Sequence, residues 1–220
     1  MSYRYFIYDL DGTLVDTSPG ILSTLRETEK LVGVEPLPEE TLKRFIGPPL
    51  EESFVMFHKA DPQLCQKMLA TYRERYVQGG GIRKARVYDG VVEGLNWIHD
   101  RGGKTAVATL KQERMAVLTL EAFGLLKEFD HLAGPGPNKK PNKAALVLEC
   151  LEKLGCGDKG QAVLFGDSRY DGVGAMEAGI DFVPLTYGFG FADPGSLDGI
   201  PYVAKATEPR ELLEFIKGSV

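Results

Sequence analysis

The chain has 220 residues, 43% hydrophobic and 26% charged, with a formal net charge of -5. That length accommodates one α/β domain with a smaller insert, and the composition excludes collagenous, low-complexity and membrane-embedded classes. The acidic balance offers no basic face for a nucleic-acid backbone, and no apolar stretch is long enough to cross a bilayer.

Met1 to Tyr8 lacks the charged and apolar pattern of a secretory signal, so a cytoplasmic address is expected, with no membrane or nucleic-acid partner. Cys65, Cys150 and Cys156 are odd in number and lack metal-ligand spacing, as expected of reduced, mostly buried thiols. The histidines, His58, His99 and His131, are scattered and read as packing or surface residues.

Tyr5-Phe6-Ile7-Tyr8 is an apolar, aromatic-rich run that reads as a buried strand opening into the polar loop Asp9-Leu10-Asp11-Gly12-Thr13. From Ser18 to Lys84 there are no strand signals; helical patterns cover Ile21 to Val32, Pro38 to Phe45 and Pro62 to Tyr76. This segment reads as an inserted helical cap over residues 17–85, and residues 1–16 and 86–220 form the core. Further strand-like runs are Thr105 to Ala108, Ala162 to Phe165 and Phe182 to Leu185, alternating with helical patterns such as Lys143 to Leu154. Such alternation indicates an α/β fold with a parallel, doubly wound, Rossmann-like sheet. The last helix is expected over Glu211 to Lys217, with Thr207 as N-cap and Pro209 in its first turn.

Two carboxylates two residues apart at a strand end, Asp9 and Asp11, can enter one site if the chain leaves regular pleating there, which Gly12 permits. The plainer alternative is a turn that merely closes the strand. Leu164-Phe165-Gly166-Asp167-Ser168-Arg169-Tyr170-Asp171 repeats the arrangement after another buried run, although Asp167 also suits a helix N-cap. If the two strands are neighbours, Asp9 and Asp167 meet at one sheet edge and form the oxygen-rich site that hard divalent cations prefer. Thr109 ends a third strand, where its hydroxyl suits either a phosphoryl oxygen or a helix cap. Lys139-Lys140-Pro141-Asn142-Lys143 places lysines before a helix, able to neutralise a transferring phosphoryl group or simply to face solvent.

With these four elements in order, the whole chain resembles the haloacid dehalogenase superfamily, in its phosphoglycolate phosphatase-like branch with a helical cap. The resemblance implies Asp9 as nucleophile, Asp11 as general acid and base, and Lys143 as the motif lysine, with Lys140 as the other spacing found among relatives. It implies phosphate binding by Asp11, Gly12, Thr109, Leu110 and Lys143, and Mg2+ held by Asp9, Asp11, Asp167 and Asp171. Lys143 is preferred because the Ile46-to-Leu50 segment and the Tyr187-Gly188-Phe189-Gly190 loop resemble the subgroup in which lysine opens the helix. Leu110 departs from the polar residue common after the motif threonine.

The implied activity is hydrolysis of a small phosphorylated metabolite, phosphoglycolate phosphatase-like or 5'-nucleotidase-like, by a monomer or homodimer. Arg44, Tyr72, Arg73 and Tyr76 in the cap are expected to choose the substrate. A sugar-phosphate mutase or a non-catalytic phosphate-binding module are the alternatives, while Asp11 argues against a dehalogenase.

Overall fold

Aromatic and β-branched residues suit a pleated, buried surface, and in the run Tyr5–Tyr8 the residues Phe6, Ile7 and Tyr8 are all buried. The computed structural model describes residues 2–136, 142–191 and 195–219. Its strands along the chain are Tyr5–Tyr8 (β1), Val15–Asp16 (β2), Arg86–Val87 (β3), Lys104–Ala108 (β4), His131–Ala133 (β5), Ala162–Gly166 (β6) and Asp181–Pro184 (β7). Five of them form one parallel sheet in the order β5-β4-β1-β6-β7, with β1 in the middle, and β2 pairs with β3. β5 was not among the expected strands: it is three residues long, at the sheet edge and half-exposed, too short for a periodic signal.

The chain divides into two units, residues 1–15 with 87–220, and residues 16–86. The smaller is helical, with Ser18–Val32 (α1), Glu39–Lys43 (α2), Leu50–His58 (α3) and Pro62–Gln78 (α4). Local chemistry sets the helix ends. α1 stops at Gly33, whose φ of 83° is the left-handed conformation glycine adopts without steric cost. α4 starts where Asp61 accepts a hydrogen bond from the Leu64 amide at 2.8 Å, ahead of Pro62. Ile21, Leu25, Phe54, Met68, Tyr72 and Tyr76 are buried there.

The larger unit adds Val91–His99 (α5), Glu113–Ala122 (α6), Lys143–Leu154 (α7), Arg169–Ala178 (α8) and Pro209–Ser219 (α9). On one face of the sheet, Ile7, Ala106 and Leu164 join Val147, Cys150 and Leu151 of α7 and Ala175 of α8 in a single cluster. On the other, the Phe6 and Tyr8 rings stand 6.3 and 4.9 Å from that of Phe165, which meets Phe215 of α9 at 6.0 Å. Each of the larger apolar side chains among them, such as Ile7, Leu164 or Phe165, contributes about 1.5–3 kcal/mol by leaving water. A sheet covered on both faces reads in sequence as unbroken apolar runs, which is how its strands were recognisable. The last helix begins at Pro209, so Thr207 is not its N-cap; the Thr207 amide and hydroxyl instead bond the Glu211 carboxylate at 2.6 and 2.8 Å.

Candidate active site

Parallel pairing aligns strand ends. Tyr8 stands level with Val107 of β4 and Phe165 of β6, so the next residues, Asp9, Ala108 and Gly166, emerge side by side at the C-terminal edge. Asp9 keeps one more sheet bond, its amide donating to the Phe165 carbonyl at 2.9 Å. The chain then leaves the pleat: the Leu10 carbonyl accepts from the amides of Thr13, Leu14 and Val15. Gly12 in this turn has φ 81°, and a Cβ there would lie 2.1 Å from an Asp167 carboxylate oxygen. The turn therefore fits against Asp167 only without a side chain.

Asp9, Asp167 and Asp171, all buried, place carboxylate oxygens within 4.8 Å of one another. Lys143 enters from the start of α7, where Asn142 caps the helix by accepting from the Ala145 amide at 2.9 Å. Its Nζ donates to Asp9 Oδ1 at 2.6 Å and to the Ala108 carbonyl at 2.5 Å, and lies 2.6 Å from Asp171 Oδ1. The other oxygen of Asp171 accepts from the Ser168 amide at 2.9 Å and its hydroxyl at 2.6 Å, a capping box at the start of α8. Ser168, not Asp167, is thus the N-cap. Asp167 Oδ2 instead accepts from the Phe189 amide at 2.6 Å.

Charge is short on the positive side of this cluster. Burial pushes Asp9 up to about 7, with Lys143 opposing and Asp171 and Asp11 adding to the rise. Asp167 is held well above the carboxylate range by burial and by Asp171 and Asp9. Burial pulls the Lys143 ammonium down, but Asp171 and Asp9 outweigh it and keep Lys143 above its ordinary value. Three buried carboxylates around one ammonium form a donor set that fits a hard divalent cation such as Mg2+.

The Asp11 carboxylate is paired through both oxygens with Lys111 Nζ at 2.9 and 3.1 Å. Thr109 is buried, and its hydroxyl accepts from the Lys111 amide at 3.2 Å; the N-cap position of α6 belongs to Gln112. Leu110, half-buried, packs against the core cluster. Lys140 lies outside the described residues.

Within the smaller unit, Tyr72 and Tyr76 are buried and stacked at 5.5 Å, Arg73 is exposed, and exposed Arg44 lies 4.9 Å over the Phe57 ring. Three contributors escaped the sequence reading: Lys111, Ser168 and the Phe189 amide. Lys111 stands two residues after Thr109, and Ser168 stands three before Asp171 in the spacing of a capping box, so both leave a trace in the sequence, whereas the Phe189 amide leaves none because a backbone amide carries no residue signature.

A family model described as haloacid dehalogenase-like hydrolase matches residues 6–185. Pyrophosphatase PpaX of Halalkalibacterium halodurans is 30% identical over 189 residues, 85% of each chain. Tyrosine-protein kinase PtkA of Mycobacterium tuberculosis is 31% identical over 217 residues, 96% of this chain and 73% of that protein. The crystal structure of a predicted phosphatase from Clostridium acetobutylicum, 28% identical, matches with a TM-score of 0.86 over 98% of this chain and 99% of that one. With likeness of this extent on a shared parallel-sheet architecture, the chain belongs to the haloacid dehalogenase-like hydrolase family and stands among its phosphatases.

Proposed function

We propose that the protein hydrolyses a small phosphate monoester, with magnesium, through an aspartyl-phosphate formed on Asp9. The observation that carries this reading is the convergence on one buried carboxylate of an ammonium at 2.6 Å and two further carboxylates within 4.8 Å. A dianionic ester resists attack by an anion, so catalysis rests on neutralising charge and aligning the groups. Asp9, Asp167, Asp171 and the backbone carbonyl of Asp11 would hold the Mg2+. Bound there, it supplies the positive charge that offsets repulsion between Asp9 and the phosphoryl group.

In the proposed sequence, an Asp9 oxygen attacks phosphorus and the ester oxygen departs, taking a proton from Asp11. Water then attacks the same phosphorus, Asp11 takes its proton, and Asp9 is released with inorganic phosphate. Lys143, the Thr109 hydroxyl and the backbone at Gly12 and Leu110 are the proposed partners of the phosphoryl oxygens. Of the four residues proposed to select substrate, exposed Arg44 and Arg73 suit contact with a ligand, whereas buried Tyr72 and Tyr76 suit support of their helix. The test is turnover of p-nitrophenyl phosphate under Mg2+ titration, by the natural protein and by Asp9→Asn. Activity that rises with Mg2+ and vanishes in the variant is expected; a folded Asp9→Asn protein with full turnover sinks the proposal.

A further inference from the structure

Lys111 has no task in the mechanism above, yet it touches that mechanism's proton carrier. Its ammonium spans both oxygens of Asp11 at 2.9 and 3.1 Å across 100 positions of sequence. The position is set locally: the Lys111 amide donates to the Thr109 hydroxyl at 3.2 Å, turning the chain just beyond β4 toward the loop after β1. Unlike Lys143, whose side chain is 4% exposed, Lys111 and Asp11 keep 11% and 14% of their side chains open. A ligand can therefore reach this pair.

We infer that Lys111 selects substrates whose leaving group carries its own negative charge, a carboxylate or a second phosphate, next to the ester oxygen. The inference rests on the reading that Asp11 protonates that oxygen. To receive the proton, the ester oxygen comes within hydrogen-bond distance of Asp11, which puts the atoms attached to it beside the ammonium paired with Asp11. An anion there, facing the aspartates without Lys111, is repelled; with Lys111 it meets a compact positive charge beside Asp11. Leu110, the adjacent residue, has no polar side-chain atom to offer the hydroxyls of a neutral sugar or nucleoside.

The test compares 2-phosphoglycolate and pyrophosphate with 2-hydroxyethyl phosphate, which lacks the second charge, in the natural protein, Lys111→Met and Lys111→Arg. The natural protein should prefer at least one charged compound, and which one identifies the anion. Lys111→Met should lower kcat on every compound through its pair with Asp11, while KM should rise by about tenfold or more for the charged compound alone, and Lys111→Arg should restore the preference. No preference in the natural protein, or an equal loss on all three compounds in Lys111→Met, overturns the inference while the phosphatase reading stands. Failure on all three compounds by a protein that hydrolyses p-nitrophenyl phosphate with Mg2+ overturns the inference alone, and failure on that ester as well overturns both.

Discussion

Lys143 Nζ and Asp9 Oδ1 lie 2.6 Å apart, joining the first residue of α7 to the residue after β1 across 134 positions of sequence. Burying both charges has a large desolvation cost, which is offset only because the ammonium also has the Ala108 carbonyl and Asp171 as acceptors. Lys143→Met leaves two buried carboxylates without that partner. It should reduce kcat by about 10²–10³-fold, as loss of a transition-state charge partner does, and destabilise the fold by about 3–5 kcal/mol. Steady-state kinetics and urea unfolding measure the two effects; unchanged turnover in a folded variant contradicts the role given to Lys143.

Asp171 joins the Lys143 pair to the capping box of α8. Asp171→Ala should therefore lose both activity and stability, while Ser168→Ala forfeits only the cap, about 0.5–2 kcal/mol, and keeps most turnover. If the two variants unfold at the same urea concentration, the Lys143–Asp171 contact contributes nothing.

Gly188 leaves room for Asp167: a Cβ on it would lie 2.3 Å from the Asp167 Cβ and 2.6 Å from the Gly12 carbonyl. Gly188→Ala, like Gly12→Ala, should displace Asp167 and cost about 10²-fold in turnover, the penalty of a misplacement near 1 Å. Gly33→Ala is the control. It shares a positive φ, 83°, but its Cβ meets nothing within 4 Å, so about 1–2 kcal/mol of backbone strain is expected, with activity kept. Kinetics and thermal unfolding of the three variants check this, and equal activities would dismiss the close approach as unimportant.

His58 gives the smaller unit a pH dependence. Its side chain is 4% exposed, with Nε2 3.3 Å from Glu29 Oε1, and burial lowers it from its ordinary 6.5 more than Glu29 raises it. The unfolded chain binds the proton more readily, so this contribution to stability is fully present above 6.5 and is lost as pH falls through the lower folded-state value. Burial raises Asp9 and Asp167, so from about pH 7.5 to about pH 5 both proteins gain stability from those carboxyls, and thermal unfolding should show a smaller gain in the natural protein than in His58→Gln. Identical slopes in the two proteins would mean that His58 does not titrate on unfolding.

Local order determined much of what could be read beforehand. An apolar run ending in Asp9-Leu10-Asp11-Gly12 is a strand and a turn wherever it sits, and its recurrence at Leu164 to Asp167 already pointed to one sheet edge with two acidic groups. Other elements are not legible in that way: β2, β3 and β5 span two or three residues, and α3, α5, α6 and α8, of nine or ten residues each, lie outside the helical patterns of the sequence reading. Tertiary structure alone decided which charges meet. Sequence states that Lys111 and Lys143 are basic, but the parallel register of β1, β4 and β6 and the packing of α7 place one against Asp11 and the other against Asp9. The hold of the Phe189 amide on Asp167 could come from nowhere else, because every residue but proline has that N–H and only the folded loop aims it.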